Sequence, residues 1–174
     1  MASAAALTRA PFVLTLEMDG EAFAAFDALR RKFYAPERNL VAAHVTLFHR
    51  LPGERAREIK MLLTDVAARE RPMEVEVGEA KPIAHGVAIF LNAPRLHALR
   101  QRLANEWWPW LEDRDKAGFR PHVTIQTTES DAEARRTVQS LGRSVVPRRM
   151  RGIGLHLWRF SDGRWESEKL FRFR

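Results

Sequence analysis

The sequence predicts an α+β protein built from two similar halves, and three observations carry that expectation. The tripeptide His-Val-Thr occurs twice, at His44-Val45-Thr46 and at His122-Val123-Thr124, 78 residues apart. Each copy sits in an apolar, β-branched run of the kind that forms strands, Val41 to Phe48 and Pro121 to Ile125. The strand and helix signals before each copy are offset by about the same interval, so both halves read strand, helix, motif strand, helix, strand. The repeats cover about 11–80 and about 84–160 within a single bilobal domain, 1–174, that closes with a C-terminal hairpin over 152–173. A pseudo-twofold axis is expected to relate the two lobes. Antiparallel sheets would line a central cleft, helices would lie outside, and the two motif strands would face that cleft.

Taken in order, Phe12 to Met18 reads as a strand stopped by Asp19-Gly20, and Phe23, Phe26, Leu29 and Phe33 then recur at helical spacing. Pro36 to Asn39 is a loop before the first motif strand, and Leu51-Pro52-Gly53 is a turn. Ile59, Leu62, Leu63 and Val66 mark an amphipathic helix, and Met73, Val75 and Val77 alternate with Glu74 and Glu76 as in a half-buried strand. In the second half, Val87 to Leu91 is a strand and Pro94 suits the first turn of a helix. Leu96, Leu99, Leu103, Trp107 and Trp110 form the stripe of that helix, which assigns the Trp107–Trp110 cluster to core packing rather than to a base platform. Asp113 to Arg120 reads as a polar loop leading to the second motif strand. Ser130 with Glu133 suggests a capping box opening a helix through Val138 and Leu141. The tail alternates apolar and polar residues around Asp162-Gly163, a hairpin-turn signal, with Trp158 and Trp165 placed for a cross-strand pair.

Composition narrows the chemistry. The 174 residues contain no cysteine, which excludes disulfides, thiolate nucleophiles and cysteine zinc sites. Met1 to Ala10 lacks the pattern of a signal peptide, and nothing approaches a membrane-spanning apolar run, so a cytoplasmic protein is expected. The net charge of +7 comes mainly from arginine, only five of 29 basic residues being lysine. Such a surface suits RNA or nucleotides, and it suits equally an arginine-rich composition spread over solvated helix faces. Charge alone does not decide between them.

The motifs point further. Side chains two apart on a strand share a face, so His44 lies beside Thr46 and His122 beside Thr124, while Val45, Leu47, Val123 and Ile125 turn to the core. Cleaving a phosphodiester requires one proton removed, another delivered, and the charge on the non-bridging oxygens stabilised. Two imidazoles titrating near neutrality can serve as base and acid, and two hydroxyls can donate to the phosphate oxygens. None of the histidine-rich zinc patterns is present, and no metal or other cofactor is expected. Alternation also places Phe48 and Gln126 on the motif faces, where one would stack on a base and the other hydrogen-bond to it. The competing placement puts Phe48 at a core edge and Gln126 in solvent. Arg120 and Arg50 flank the motifs as candidate phosphate partners, His156 alternates with Leu155 and Leu157 so that it would face the cleft, and His49 falls off the motif face.

The stretches Ala43-His44-Val45-Thr46-Leu47-Phe48 and Phe119-Arg120-Pro121-His122-Val123-Thr124-Ile125 resemble the paired HxTx signatures of the two-histidine (2H) phosphoesterase superfamily. Within it, the bacterial 2′-5′ RNA ligase-like or RNA 2′,3′-cyclic phosphodiesterase proteins are most similar. The resemblance spans about Phe12 to Phe160. It implies a bilobal fold with metal-independent chemistry on 2′,3′-cyclic or 2′-5′-linked phosphates, His44 and His122 being the acid–base pair and Thr46 and Thr124 holding the phosphate. Many such proteins carry a basic residue soon after the second motif, where this chain has Gln126-Thr127-Thr128. The expected partner is an RNA terminus or nucleotide, with no membrane, no obligatory protein partner and a monomeric chain. A non-catalytic RNA- or nucleotide-binding module using the same cleft is the alternative.

Overall fold

The computed structural model describes residues 10–141, 146–161 and 163–174. Residues 1–9 and 142–145, and Asp162 of the Asp162-Gly163 pair, lie outside that range. Seven strands form an antiparallel sheet: β1 (Phe12–Met18), β2 (Val45–Leu51), β3 (Met73–Ile83), β4 (Gly86–Asn92), β5 (His122–Thr127), β6 (Arg149–Ser161) and β7 (Arg164–Arg172). Among the described residues five α-helices accompany them: α1 (Gly20–Phe33), α2 (Ala56–Arg69), α3 (Pro94–Trp107), the single turn α4 (Asp113–Lys116) and α5 (Asp131–Leu141). No described helix is long and apolar enough to cross a membrane.

The strand order is β2-β1-β6-β3-β4-β5, with β7 added on β6. Exchanging the first three strands for the second three reproduces this order in reverse, which is the signature of a twofold between the halves. The third strand of each half pairs into the other half. β6 lies along β1 through Phe12↔Arg159 to Met18↔Gly152, and β3 lies along β4 through Glu76↔Asn92 to Ile83↔Gly86. The short β3–β6 ladder, Met73↔Gly152 to Glu76↔Arg149, joins the two half-sheets into one. The motif strands β2 and β5 end this sheet on opposite sides, yet their Cα atoms come within 8 Å of each other, so the sheet curls until its ends meet.

Local sequence explains the helices. Asp19 caps α1 by accepting from the Ala22 amide at 3.0 Å, and Arg30, Arg31 and Lys32 sit at its negative end. Ala22, Phe26 and Leu29 are buried against the sheet, where α1 packs on β5, whereas Phe23 of the same apolar pattern is exposed. In α2 the buried residues are Ile59, Leu63 and Ala67, and in α3 they include Leu96, Leu99, Leu103 and Trp107. Trp107 therefore packs as core, as its stripe predicts, and Trp108 is exposed. The Ser130 hydroxyl accepts from the Glu133 amide at 3.3 Å, but the Glu133 carboxylate accepts from Gln126 and Thr128 instead of closing the capping box.

Two elements depart from the expected pattern. The polar loop before the second motif contains α4, which turns Asp115 inward until it is 1% exposed. There its carboxylate accepts from the His49 and Arg50 amides and bonds the His49 ring at 2.9 Å, tying α4 to β2. Burial pushes the Asp115 carboxyl up, but these hydrogen bonds outweigh it and hold it below the usual carboxylate range. The hairpin β6–β7 sets Phe160 opposite Trp165 and Trp158 opposite Ser167, so the two indoles meet diagonally, 6.1 Å apart, rather than face to face. Gly163 in its turn has φ +75°, a conformation that favours glycine.

Replacing Asp115 by Ala leaves the His49 and Arg50 amides without their acceptor and is expected to cost about 3 kcal/mol. That is a Tm loss of roughly 6–12 °C for a chain of this length. A carboxyl with a lowered folded pKa stabilises above its unfolded pKa and ceases to as pH falls through the folded one. Urea unfolding followed against pH should therefore show a shallower acid limb in Asp115→Ala. An unaltered midpoint would refute this role for α4.

Candidate active site

His44 immediately precedes β2 and His122 opens β5, and the two share one local geometry. His44 Nδ1 lies 2.8 Å from the Ala42 carbonyl oxygen, and His122 Nδ1 lies 2.8 Å from the Arg120 carbonyl oxygen. A carbonyl only accepts, so Nδ1 carries a proton in both rings and Nε2 is the nitrogen left to give or take one. No described residue hydrogen-bonds either Nε2. The ring neighbours are aromatic: Trp165 lies 4.6 Å from His44 and Phe90 lies 5.6 Å from His122. Thr46 and Thr124 follow two residues on, half-buried, with Thr15 and Ala88 as their cross-strand partners.

Beyond the threonines both strands bulge at the same place. On β1 the pairing steps from Leu14↔Phe48 to Thr15↔Thr46, and on β4 from Val87↔Gln126 to Ala88↔Thr124, so Leu47 and Ile125 are each the extra residue. Strict alternation fails there, and this corrects two expectations. Phe48 does not share the face of His44 and Thr46. It is 0% exposed, packed edge-on against Trp107 at 5.1 Å with the Arg100 guanidinium over its ring. Gln126 is 3% exposed and donates to Glu133 at 3.0 Å, so it faces the helix layer and not the cleft. Gly86 accommodates the second bulge, since a Cβ at its φ of +145° would meet the Gln126 carbonyl oxygen at 1.9 Å.

The other candidates fall where their surroundings dictate. Arg120 is exposed with its guanidinium 4.7 Å from the Phe90 ring, beside His122. Arg50 pairs with Glu112 at 3.0 Å on the surface, and His49 belongs to the Asp115 cluster. His156 lines the same cavity as His44. Among the described residues, no three histidine, aspartate or glutamate side chains converge as a metal cage would require.

Two buried arginines escaped the sequence reading. Arg30 on α1, 3% exposed, donates to the Thr124 carbonyl of the second motif at 2.7 Å, to the Val41 carbonyl ahead of the first at 2.8 Å, and to Asn39 at 3.2 Å. Arg100 on α3, 6% exposed, donates to the Leu47 carbonyl of β2 at 3.4 Å and to the Asp115 carbonyl. Each helix thus grips the motif strand of the other half. The available signal was a charge inside an apolar stripe, four residues after Phe26 in one helix and four after Leu96 in the other.

Electrostatics set the charge state of His44. Burial lowers the His44 pKa to about 4, the positive charges of Arg30, His122 and His49 act in the same direction, and the hydrogen bond to Ala42 opposes them. His44 is therefore neutral at pH 7, with its Nε2 lone pair free. The arrangement offers a neutral imidazole with an open Nε2, a second imidazole whose Nε2 is likewise without a hydrogen-bond partner among the described residues, and two half-buried hydroxyls two residues on.

A family model described as the 2′-5′ RNA ligase superfamily matches residues 18–164. Among solved structures, TT0787 of Thermus thermophilus aligns over 94% of this chain and 98% of its own, at 18% identity and a TM-score of 0.62. Apo LigT of E. coli aligns over 94% of this chain and 97% of its own, at 17% identity and 0.62. A protein described as a phosphoesterase aligns over 94% and 98%, at 17% identity and 0.64. At these identities the likeness concerns the fold. No curated protein matches the chain by sequence.

A lowered histidine pKa makes a definite prediction. In the free protein the His44 ring signals should titrate by NMR with a midpoint near 4, below the ordinary 6.5, and inorganic phosphate should raise it by giving the imidazolium an anion. Because the unfolded chain takes up this proton first, stability should fall as pH drops from about 6.5 towards 4. A midpoint at or above 6.5 without ligand would contradict the burial of this ring.

Proposed function

Because the chain belongs to the 2′-5′ RNA ligase superfamily, with the phosphoesterase or RNA-ligase type of activity which that implies, we propose that it is a cyclic phosphodiesterase. Its substrate is a 2′,3′-cyclic phosphate, or a 2′-5′ phosphodiester, at an RNA end or on a nucleotide. The observation that carries this reading is the matched pair of imidazoles, each with Nδ1 tied to a carbonyl two residues back and Nε2 free. Binding alone does not require a matched acid–base pair. That E. coli LigT has been crystallised with 3′-AMP and with phosphate accords with a nucleotide phosphate as ligand class.

In the proposed reaction neutral His44 takes a proton from water through Nε2 as the water oxygen attacks phosphorus. The bond from phosphorus to one ribose oxygen breaks, and that oxygen receives the proton of His122. Thr46 and Thr124 donate to the non-bridging oxygens, whose charge grows in the transition state, and Arg120 offers a cation beside His122. No metal ion enters this scheme. With a 5′-hydroxyl in place of water the same roles join ends: His44 takes the hydroxyl proton, the new phosphorus–oxygen bond forms as the bond to the 3′-oxygen breaks, and His122 protonates that oxygen, leaving a 2′-5′ linkage.

Purified protein should open a nucleoside 2′,3′-cyclic phosphate in the presence of EDTA. His44→Ala and His122→Ala should each lower kcat/KM by about 10²–10⁴-fold, and Thr46→Ala or Thr124→Ala by about 10²-fold. The acid limb of the kcat/KM profile should lie near pH 4 and follow His44. Undiminished turnover in both histidine variants would falsify the assignment. Nucleotide binding that survives both, with no product from the wild type, would favour a binding module.

A further inference from the structure

Beside His44, and not between the two motifs, lies a cavity of about 510 Å³, a size typical of small-molecule sites. Its walls come from the segment that starts α1, the loop before the first motif, and the β6–β7 hairpin. The hairpin supplies two half-buried indoles, Trp158 and Trp165, whose rings meet at 6.1 Å and 42° to form an open corner. Trp165 reaches the His44 ring at 4.6 Å, so the corner adjoins the group assigned to the chemistry. Phe23 and Leu40 add apolar surface from α1 and the loop, 41% and 71% exposed. Large apolar side chains left open around one concavity mark a surface that expects a ligand.

The polar atoms of this wall hold the rings in place. Trp158 donates from Nε1 to Thr15 Oγ1 at 2.9 Å, and the His156 ring stacks on its indole at 3.7 Å and 25°. His156 is itself fixed between Glu17 Oε2 at 3.3 Å and Ser167 Oγ at 2.8 Å. Among the described residues the other Glu17 oxygen, Oε1, has no hydrogen-bond partner, and Glu17 lines the cavity. The site therefore presents rigid π surfaces, with the Glu17 carboxylate as a strong acceptor and the Arg172 guanidinium as a cation also among its lining residues. A flat aromatic ligand with an N–H edge answers the π surfaces and the carboxylate. The counterpart beside His122 is different, since there Phe90 is covered by the Arg120 guanidinium.

We propose that the cavity bounded by Trp158, Trp165, Phe23 and Leu40 is a nucleobase subsite, in which Glu17 selects bases carrying an exocyclic amino group over uracil. The proposal rests on the phosphoesterase reading, for it places the base of the reacting nucleotide on the His44 side. Guanine, adenine and cytosine can donate an amino proton to Glu17. Uracil has no amino group and offers one N3–H flanked by two carbonyl oxygens, so donating to the carboxylate also sets a carbonyl oxygen beside it.

The test is equilibrium binding by calorimetry, which needs no turnover. Guanosine 3′-monophosphate, uridine 3′-monophosphate and base-free ribose 3-phosphate are compared on the wild type, Trp165→Leu, Trp165→Phe and Glu17→Gln. The wild type should bind the guanosine nucleotide about 5- to 100-fold more tightly than ribose 3-phosphate, as base stacking provides. Trp165→Leu, which keeps apolar volume without the indole, should bring that ratio close to one, and Trp165→Phe should restore most of it. Glu17→Gln should reduce the guanosine-over-uridine preference to within about twofold. In the unmodified protein, NOEs should connect the guanine H8 to indole protons of Trp165 or Trp158. A wild-type ratio near one, a ratio indifferent to Trp165→Leu, or H8 contacts confined to other residues would each overturn the subsite. Base-dependent binding through Trp165 without turnover would remove the proposed reaction and keep the subsite. Turnover with base-independent binding would do the opposite.

Discussion

The fold turns on a reciprocal grip between two buried arginines and two edge strands. An edge strand leaves a row of backbone groups unpaired, and a buried guanidinium is costly unless its donors are met. Here each deficiency answers the other. Arg30, carried by the first half, donates to the Thr124 carbonyl, and Arg100, carried by the second, donates to the Leu47 carbonyl. Hydrogen bonds from a charged group contribute about 1.5–3 kcal/mol each, enough for either arginine to govern local register. Because each bond crosses between halves, it also decides how close β2 and β5 come. Neither histidine touches the other through a hydrogen bond, so their mutual placement depends on this outer framework. Arg30 adds an electrostatic effect as well, since its charge helps keep His44 deprotonated.

Much of this was legible in the sequence, and the failures share one physical origin. Element order, the helix stripes and the motif strands all follow from periodicity, which records burial one element at a time. Phe48 and Gln126 were misplaced because periodicity assumes an unbroken strand. A bulge shifts the phase after Thr46 and again after Thr124, and nothing in Leu47 or Ile125 announces it. Asp115 was hidden among other charges in a segment that looked solvated. It shows its role only once α4 folds it beneath the His49 and Arg50 amides. Trp158 and Trp165 were visible as a pair, but the cavity they line depends on the distant Phe23 and Leu40.

The repeated bulge has a consequence for the site. Were β2 regular past Thr46, Phe48 would emerge on the same face two residues on, and the face carrying the motif histidine and threonine would be crowded. The extra residue returns Phe48 and Gln126 to the interior, and each strand presents one histidine and one threonine before turning away. The same irregularity gives the core of the first half a large aromatic anchor, with Phe48 held between Trp107 and Arg100. A single backbone device therefore serves packing and access together. Its presence in both halves at matching positions argues that it came with the duplication and not from a later local accident.

Duplication alone would leave a twofold site without direction, since equivalent histidines would offer proton uptake and delivery on both sides alike. Two asymmetries remove that ambiguity. Among the described residues β7 has no counterpart in the other half, and the hairpin it forms with β6 brings Trp165 against His44. This contact, together with the loop before the first motif, adjoins the ring whose pKa burial lowers to about 4. Beside His122 stands an exposed arginine in place of an indole. Under the proposed chemistry an apolar, proton-accepting side then faces a cationic, proton-donating one. On that proposal the orientation of a bound nucleotide and the direction of proton flow would both follow from the same added strand.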